Sequence, residues 1–433
     1  MTPLLSSLTQ LKRSRFVYRL FVLSGGMTIG QGLLLLSTPL LTRLYTPESF
    51  GVFAVFGALS SIFITVVALR YEQAVPLEQN DRIAAALVVG SVLASLLVSL
   101  LACLAVLFGG AALARRLAMP DLASLLWLLP PCLLLWGVGS AVSLWAIRRG
   151  AIRTNGVNRV LHYAAQAGGQ SGLGVLGSGA AGLVLGYALG YLVRAGHLLT
   201  ALRSDDRLRL PRVSFGEVVR GLRRHWRFPA FAAGAALLQA TSAMLPVVLI
   251  AFLYGPLTAG LFGLAQRVVG LPLRLVGESA SHVFLGEIRT LDHAGMIRLF
   301  KRVAVLFASF GALGMLPLLW AAPPLFAFVF GEAWRDAGVI VQLLVPLYLT
   351  RFVVMPVSQT LNAVDRQDLH LVASLLNVVA LCGSFAAGYG LALPAEWTIG
   401  LLSLASTAAF LFYIGMAWRD LQRADWQKLR RAE

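Results

Sequence analysis

Leu44-Tyr45-Thr46-Pro47-Glu48-Ser49-Phe50-Gly51-Val52-Phe53 returns 209 residues later as Leu253-Tyr254-Gly255-Pro256-Leu257-Thr258-Ala259-Gly260-Leu261-Phe262, with Leu, Tyr, Pro, Gly and Phe in register. Both copies stand between long apolar runs, so the chain reads as two related membrane bundles in tandem. Internal repeats of this kind mark secondary transporters, whose substrate path lies at the repeat interface. The repeat speaks for architecture and leaves the substrate open.

Composition sets the class. The chain is 58% hydrophobic and 13% charged, whereas charged residues make up about a quarter of an ordinary soluble protein. Apolar stretches of about 20 residues, enough to cross a hydrocarbon core of roughly 30 Å, recur near 20–41, 51–69, 83–108, 122–147, 157–175, 180–202, 229–253, 257–286, 303–322, 337–361, 369–391 and 397–418. Lipid leaves backbone polar groups no partner except their own helix, so each span is expected to be helical. The expected fold is an all-α polytopic membrane protein of about twelve helices in two six-helix bundles related by pseudo-symmetry. Its divisions are a cytoplasmic segment 1–19, a bundle 20–202, a basic amphipathic linker 203–228, a second bundle 229–418 and a basic tail 419–433.

The formal charge of +17 invites a nucleic-acid reading, but its placement argues otherwise. With the N-terminus taken as cytoplasmic, the inward segments hold 28 Arg and Lys and the outward segments 4, namely Arg43, Arg115, Arg116 and Arg335. That split is the positive-inside rule and puts both termini in the cytoplasm. The basic balance is topological, and nucleic acid is not expected as a partner. Cys103, Cys132 and Cys382 all fall inside apolar spans, so no disulfide framework is suggested. The first apolar run is too long for a cleaved signal peptide and reads as an anchor. Leu4, Leu5, Leu8 and Leu11 share a helical spacing beside Lys12, Arg13 and Arg15, which suits either a helix on the inner leaflet or a solvated tail.

The 209-residue offset aligns the first span with the seventh, and each carries a proline near its outer end, Pro39 in one and Pro246 in the other. Proline removes a helical hydrogen bond and kinks the axis, and paired interrupted helices in corresponding halves point to moving parts; Pro39 and Pro246 are candidate hinges. Between the halves, Ser214-Phe215-Gly216-Glu217 has the capping-box pattern. Beyond it Phe215, Val219, Leu222 and Trp226 fall on one helical face and Arg220, Arg223, Arg224 and Arg227 on the other. This predicts an interfacial helix on anionic membrane lipids.

Several chemistries are absent. The three lysines Lys12, Lys301 and Lys428 never follow glycine, so no phosphate-cradling Gly-Lys-Ser/Thr loop exists for a nucleotide-driven pump. Gly172-Leu173-Gly174-Val175-Leu176-Gly177 formally matches a dinucleotide fingerprint, yet no strand precedes it, and it reads as a turn with close packing. Gly182, Gly186 and Gly190 have the four-residue spacing that lets membrane helices approach. The six histidines show no metal-ligand spacing, and no cofactor, metal or catalytic residue is expected. Outward loops are short throughout, near 42–50, 109–121, 176–179, 254–256, 323–336 and 392–396, which leaves little room for an external catalytic platform. A transporter is the simpler reading.

Four arginines remain inside the spans: Arg194, Arg267, Arg274 and Arg351. At about 2.5–3.5 kcal/mol each, they would cost on the order of 10–14 kcal/mol facing lipid. They are therefore expected to face an aqueous interior or to pair with acids. Arg267, Arg274, Glu278 and His282 are spaced 7, 4 and 4 and form one polar stripe on a regular helix; Arg274 and Glu278, at i,i+4, are also a candidate structural pair. Four arginines against the single acid Glu278 leave a cationic surplus suited to phosphate, which the planar guanidinium fork grips through two oxygens. Arg194, near a span end, can instead snorkel to the interface.

Leu41-Thr42-Arg43-Leu44-Tyr45-Thr46-Pro47-Glu48-Ser49-Phe50-Gly51, followed by Leu69-Arg70-Tyr71-Glu72-Gln73-Ala74, resembles the opening of bacterial Wzx-type polysaccharide flippases of the multidrug/oligosaccharidyl-lipid/polysaccharide (MOP) exporter superfamily. The similarity is specific over roughly residues 15–110 and topological beyond. It implies a twelve-helix, two-bundle, V-shaped fold with a cationic central cavity. The implied substrate is an undecaprenyl-pyrophosphate-linked oligosaccharide, moved to the outer leaflet of the cytoplasmic membrane for surface polysaccharide such as O-antigen. Arg70 and Glu72 match the resemblance at their own positions and are candidates for substrate contact and gating. Arg267, Arg274 and Arg351 rest on the charge argument alone.

The expected mechanism is alternating access through a cavity lined by Arg267, Arg351, Arg274, Arg194 and Arg70, with Glu72 and Glu278 gating or pairing charge. A drug/cation antiporter of the same superfamily usually needs a carboxylate in its first or seventh helix, and spans 20–41 and 229–253 contain no Asp or Glu. A lipid II flippase has more helices than twelve. A membrane-embedded glycan-assembly enzyme is opposed by the short external loops, while a glycan-assembly scaffold, and partnership with other glycan-assembly proteins, stay open. H+ or Na+ is open as coupling ion.

Overall fold

The computed structural model describes residues 15–288, 291–363 and 367–423, and these are helices joined by short turns, without a strand among the described residues. Seven helical stretches are long and apolar enough to cross a membrane, eight if the bent pair His293–Met315 and Leu318–Phe330 forms one span. One stretch, Phe228–Ile288, has 61 residues, which at about 1.5 Å per residue gives two crossings. Helices Arg15–Leu36, Ile152–Val175 and Gln367–Gly390, of 22, 24 and 24 residues, also have crossing length. Among the described residues the passes thus agree with the twelve expected. The helices gather into two compact units, Met1–Gly260 and Leu261–Glu433, with the boundary inside helix Gly234–Ala265.

In the first unit the repeated sequence has a repeated structure. The first copy turns at Tyr45 and Thr46, and helix Pro47–Ile64 starts there, capped by Thr46 Oγ1 accepting from Ser49 N at 3.3 Å. In the second copy Gly255 stands where Thr46 does; its φ of 81° and ψ of −177° break the helix just before Pro256. That left-handed φ is one glycine adopts without strain. The two copies also pack on each other. A Cβ on Gly51 would strike the Pro256 carbonyl, and a Cβ on Gly260 would strike the Pro47 carbonyl. The two prolines marked as hinges both sit in helical backbone: Ser37, two residues before Pro39, keeps helical φ and ψ, and the helix that carries Pro246 runs on to break at Gly255.

Glycines set the approach of helices Ile152–Val175 and Gly179–Ser204. A Cβ on Gly186 would lie 2.9 Å from the Gln170 Cα, and one on Gly190 would lie 3.0 Å from the His162 carbonyl. Tyr45 wedges in at their far end, its hydroxyl donating to the Gln170 carbonyl at 2.6 Å and its ring beside Gly174 and Gly182. Of the expected glycine turn, Gly172 and Gly174 are helical, and the chain turns at Gly177 with φ 68°.

The linker helix is Phe215–Arg224, and both capping-box bonds form: Ser214 N to Glu217 Oε2 at 2.7 Å and Glu217 N to Ser214 Oγ at 3.3 Å. The side it turns to protein is not one that the sequence singled out. Val218 and Gly221 are buried, with Gly221 over Leu87 and Ile83 and Leu222 against Gly90 of helix Asp81–Ala105. Phe215 and Trp226 are exposed instead. The helix binds protein through Val218, Gly221 and Leu222, and leaves Phe215, on the face expected to meet lipid, outward.

The second unit has its own core of Phe284, Ile288, Met296, Phe300, Val357, Leu361, Tyr413 and Leu421. Helix His293–Met315 takes in most of the expected inward segment 289–302, and helix Leu318–Phe330 part of the expected outward loop 323–336. The pair bends by 48° at the break holding Pro317, where a proline removes one ladder bond. The Leu4–Leu11 stripe, Arg366 and most of the basic tail fall outside the described residues.

Candidate functional site

Helix Ile152–Val175 is the most polar of crossing length in the first unit, and its polar residues are turned inward. Asn155, Asn158, His162, Gln166 and Gln170 are all buried; their spacing of 3, 4, 4 and 4 makes one helical stripe. Asn158 Nδ2 donates to the Arg194 carbonyl at 2.9 Å, and Gln170 Nε2 to the Leu183 carbonyl at 3.0 Å. Gln31 Nε2 donates to Tyr163 Oη at 3.3 Å. Two amide oxygens in this group, Gln31 Oε1 and Gln170 Oε1, are buried without a hydrogen-bond partner.

Aromatic rings surround this stripe. Tyr191 lies 4.9 Å from His162 and 4.8 Å from Tyr187 between ring centroids, and its hydroxyl donates to that of Tyr187 at 2.9 Å. The Arg194 guanidinium sits 5.0 Å above the Trp136 ring, a cation–π arrangement. Neither Arg194 nor Arg159 has an acid within ion-pair distance among the described residues. Arg194 is thus supported by an aromatic ring rather than by an acid. Arg159, Trp136 and the three tyrosines were not singled out in the sequence. The amide spacing from Asn155 to Gln170 marks the helix that carries Arg159 and Tyr163, whereas nothing in the sequence marks Trp136, Tyr187 and Tyr191.

Arg70 and Glu72 occupy a strained turn of the same unit. Leu69 and Arg70 are consecutive non-glycine residues with positive φ, 51° and 64°; such backbone costs of order 1–3 kcal/mol per residue and persists where the surroundings impose it. The following 3-10 turn Tyr71–Ala74 buries Glu72 to 5% exposure. Burial pushes the Glu72 carboxyl above its ordinary range, against a backbone hydrogen bond and the charge of Arg70, which pull it down. Glu72 Oε2 and Arg70 Nε have no hydrogen-bond partner.

In the second unit Arg267 lies in the π-helical turn Gln266–Gly270, and Arg274, Glu278 and His282 follow on the regular helix Leu271–Ile288. The wider turn adds about one residue, roughly 100° of rotation, and so sets Arg267 off from the stripe that regular spacing predicts. Arg274 Nε stands 4.0 Å from Glu278 Oε1, with both side chains about half exposed. Arg351 is exposed on helix Arg335–Val357 and has no acid within ion-pair distance among the described residues. The second unit also holds an apolar cavity of about 390 Å³, lined by Val268, Pro272, Phe310, Gly314, Phe326 and Phe352 among others. Among the described residues no group of three or more His, Cys, Asp or Glu could hold a metal ion.

Residues 40–339 match a family described as polysaccharide biosynthesis protein. A comparison with curated proteins finds no match. Among solved structures, the chain is similar to an inward-facing multidrug resistance MATE family transporter of the MOP superfamily. The TM-score is 0.69 at 15% identity, over 94% of this chain and 99% of that one. It is also similar to the lipid II flippase MurJ in an inward closed conformation, with TM-score 0.66 at 12% identity over 93% and 90%. A MOP superfamily transporter from Pyrococcus furiosus aligns with TM-score 0.59 at 12% identity over 94% and 96%. These likenesses establish the fold.

Proposed function

The chain belongs to the polysaccharide biosynthesis protein family, and from that premise we propose that it is a flippase for an undecaprenyl-pyrophosphate-linked oligosaccharide in the bacterial cytoplasmic membrane. The observation that carries this reading is the acid-free Arg194 and Arg159 among buried amides and aromatic rings. Aromatic faces and amides suit sugar rings, and guanidinium forks suit the pyrophosphate. Arg267 and Arg351 of the second unit carry further positive charge. We read the basic side of the membrane, and with it both termini, as cytoplasmic. Alternating access would carry the polar head across while most of the tail stays in lipid.

Cation-coupled drug export is the second reading, favoured by the likeness to multidrug transporters. Against it, helices Arg15–Leu36 and Thr38–Leu44 and the stretch 234–255 contain no Asp or Glu to hold the cation. The test reconstitutes the purified protein in liposomes loaded with a fluorescent undecaprenyl-pyrophosphate disaccharide and follows its exposure on the outer face. Exposure should run well above protein-free vesicles and drop on Arg194→Ala. Equal rates with and without protein, together with proton-driven drug uptake, would replace this reading with the antiporter.

A further inference from the structure

Helix Asp81–Ala105 begins, and helix Leu129–Arg148 ends, at the same edge of the first unit, and a polar cavity of about 440 Å³ opens there. It is lined by Pro76, Asp81, Arg148, Arg149 and Arg207. Asp81 is shared: Arg148 Nη2 reaches Oδ1 at 2.8 Å and Arg149 Nη1 reaches Oδ2 at 3.0 Å. Arg148 also donates to the carbonyls of Val75, Glu78 and Gln79. Arg149 Nε donates to the Arg207 carbonyl at 2.7 Å, and its guanidinium lies 5.6 Å from the Trp145 ring centroid. Trp145 Nε1 in turn donates to the Leu208 carbonyl at 2.7 Å, which pins the turn that carries Arg207.

Joining helix ends needs one arginine and Asp81. The structure has three guanidiniums to one carboxylate, two of them held rigid, around open space. The Arg207 guanidinium makes no bond to another described residue. Two arginines fixed in advance lose little freedom on gripping an anion, and their forks suit phosphate oxygens. The depth is informative as well. The cavity sits where two membrane-length helices start and stop, hence at the membrane–water boundary, and the neighbouring Leu77 is 69% exposed. A phosphate at that boundary, with hydrocarbon beside it, is a lipid headgroup.

We propose that Asp81, Arg148, Arg149 and Arg207 form a binding site for the phosphate of an anionic phospholipid, separate from the transport residues. The surplus of two positive charges favours a headgroup without a cation of its own, such as phosphatidylglycerol, over phosphatidylcholine. The site clamps the start of helix Asp81–Ala105 to the turn 205–210, which leads into the linker helix.

The test uses the full-length protein in mixed micelles, with retention of phosphatidylglycerol and phosphatidylcholine counted by native mass spectrometry. Phosphatidylglycerol should be retained about tenfold better than phosphatidylcholine, and that preference should fall to near unity in Arg149→Gln/Arg207→Gln. Arg207→Gln alone, which removes no internal bond, should lose part of it and keep the native melting temperature in phosphatidylcholine. The control Arg115→Gln/Arg116→Gln, with the same charge removed at the other end of the stretch Asp81–Arg116, should keep it. An equal loss in that control, or displacement of the lipid by millimolar inorganic phosphate, would overturn the proposal in favour of diffuse charge attraction or a free-phosphate site.

Discussion

Gly51 and Gly260 stand 209 residues apart and meet the same obstacle, each backed by the carbonyl of the other copy's proline, Pro256 for Gly51 and Pro47 for Gly260. The contact is reciprocal, as in a two-fold interface, but both partners belong to one chain. Backbone lies against backbone, so no rotamer change can make room for a methyl group. Gly51→Ala and Gly260→Ala should each destabilise the protein by about 1–3 kcal/mol through overpacking. Gly57→Ala, on the same helix as Gly51 with nothing within 4 Å of its added Cβ, should be neutral or slightly stabilising. Detergent-phase melting of the three variants checks this, and equal melting temperatures would rule out a tight contact at the repeat.

Glu72 gives the fold a pH dependence whose sign can be worked out. Burial raises its folded-state pKa above the ordinary 4.5, so between the unfolded and folded values the native state holds the proton more tightly. Stability therefore falls as pH rises through that window and stays lower above it. Glu72→Gln cannot ionise and should remove this slope, melting above the native protein at neutral pH and level with it at pH 4. A native-like slope in the variant would mean that another group carries the effect.

Glu78 shows the opposite sign. Its side chain is 3% exposed, with His225 Nε2 at 3.0 Å and Arg224 Nε at 3.6 Å from its Oε2. Burial acts to raise its pKa, but the hydrogen bonds from His225 and the Asn80 N–H and the charge of Arg224 outweigh it, and the carboxyl ends below its ordinary value. The stability this gives is present above pH of about 4.5 and lost as pH falls through the lowered folded value. These contacts hold the end of the linker helix. Glu78→Ala should cost about 1.5–3 kcal/mol, the range for a hydrogen bond to a charged group, and should speed amide exchange across 215–224. Unchanged exchange there would show the linker is held by Val218 and Gly221 alone.

The fold was legible because lipid permits few choices: span length, the repeat and the capping box at Ser214 each have one structural answer. What escaped was local. The linker helix turns Val218, Gly221 and Leu222 to helix Asp81–Ala105, and a contact made where Gly221 meets Leu87 and Leu222 meets Gly90 has no pattern in the linker's own residues. Arg267 left its stripe because a π-helical turn leaves no mark in residue spacing. On the site, counting charges found Arg194 but passed over its supports. Tyr187, Tyr191 and Trp136 look in sequence like ordinary membrane aromatics, and only the packing shows them beside His162 and Arg194.

Arg194 is also where geometry separates charge from shape. A lysine would keep the positive charge but lose the flat guanidinium that lies over Trp136 at 5.0 Å and the fork that grips two phosphate oxygens. On the proposed function, Arg194→Ala should cut lipid-linked oligosaccharide exposure by more than about tenfold, the equivalent of 1.4 kcal/mol in transport. Arg194→Lys should fall between Ala and native, and Arg351→Ala and Arg351→Lys should follow the same order. Arg274→Gln should lose less, because Glu278 at 4.0 Å already offsets part of its charge. Flipping assays normalised to folded protein in the vesicles check the series. If lysine matched arginine at both positions, charge alone would suffice, and neither the Trp136 stack nor the bidentate grip would belong to the mechanism.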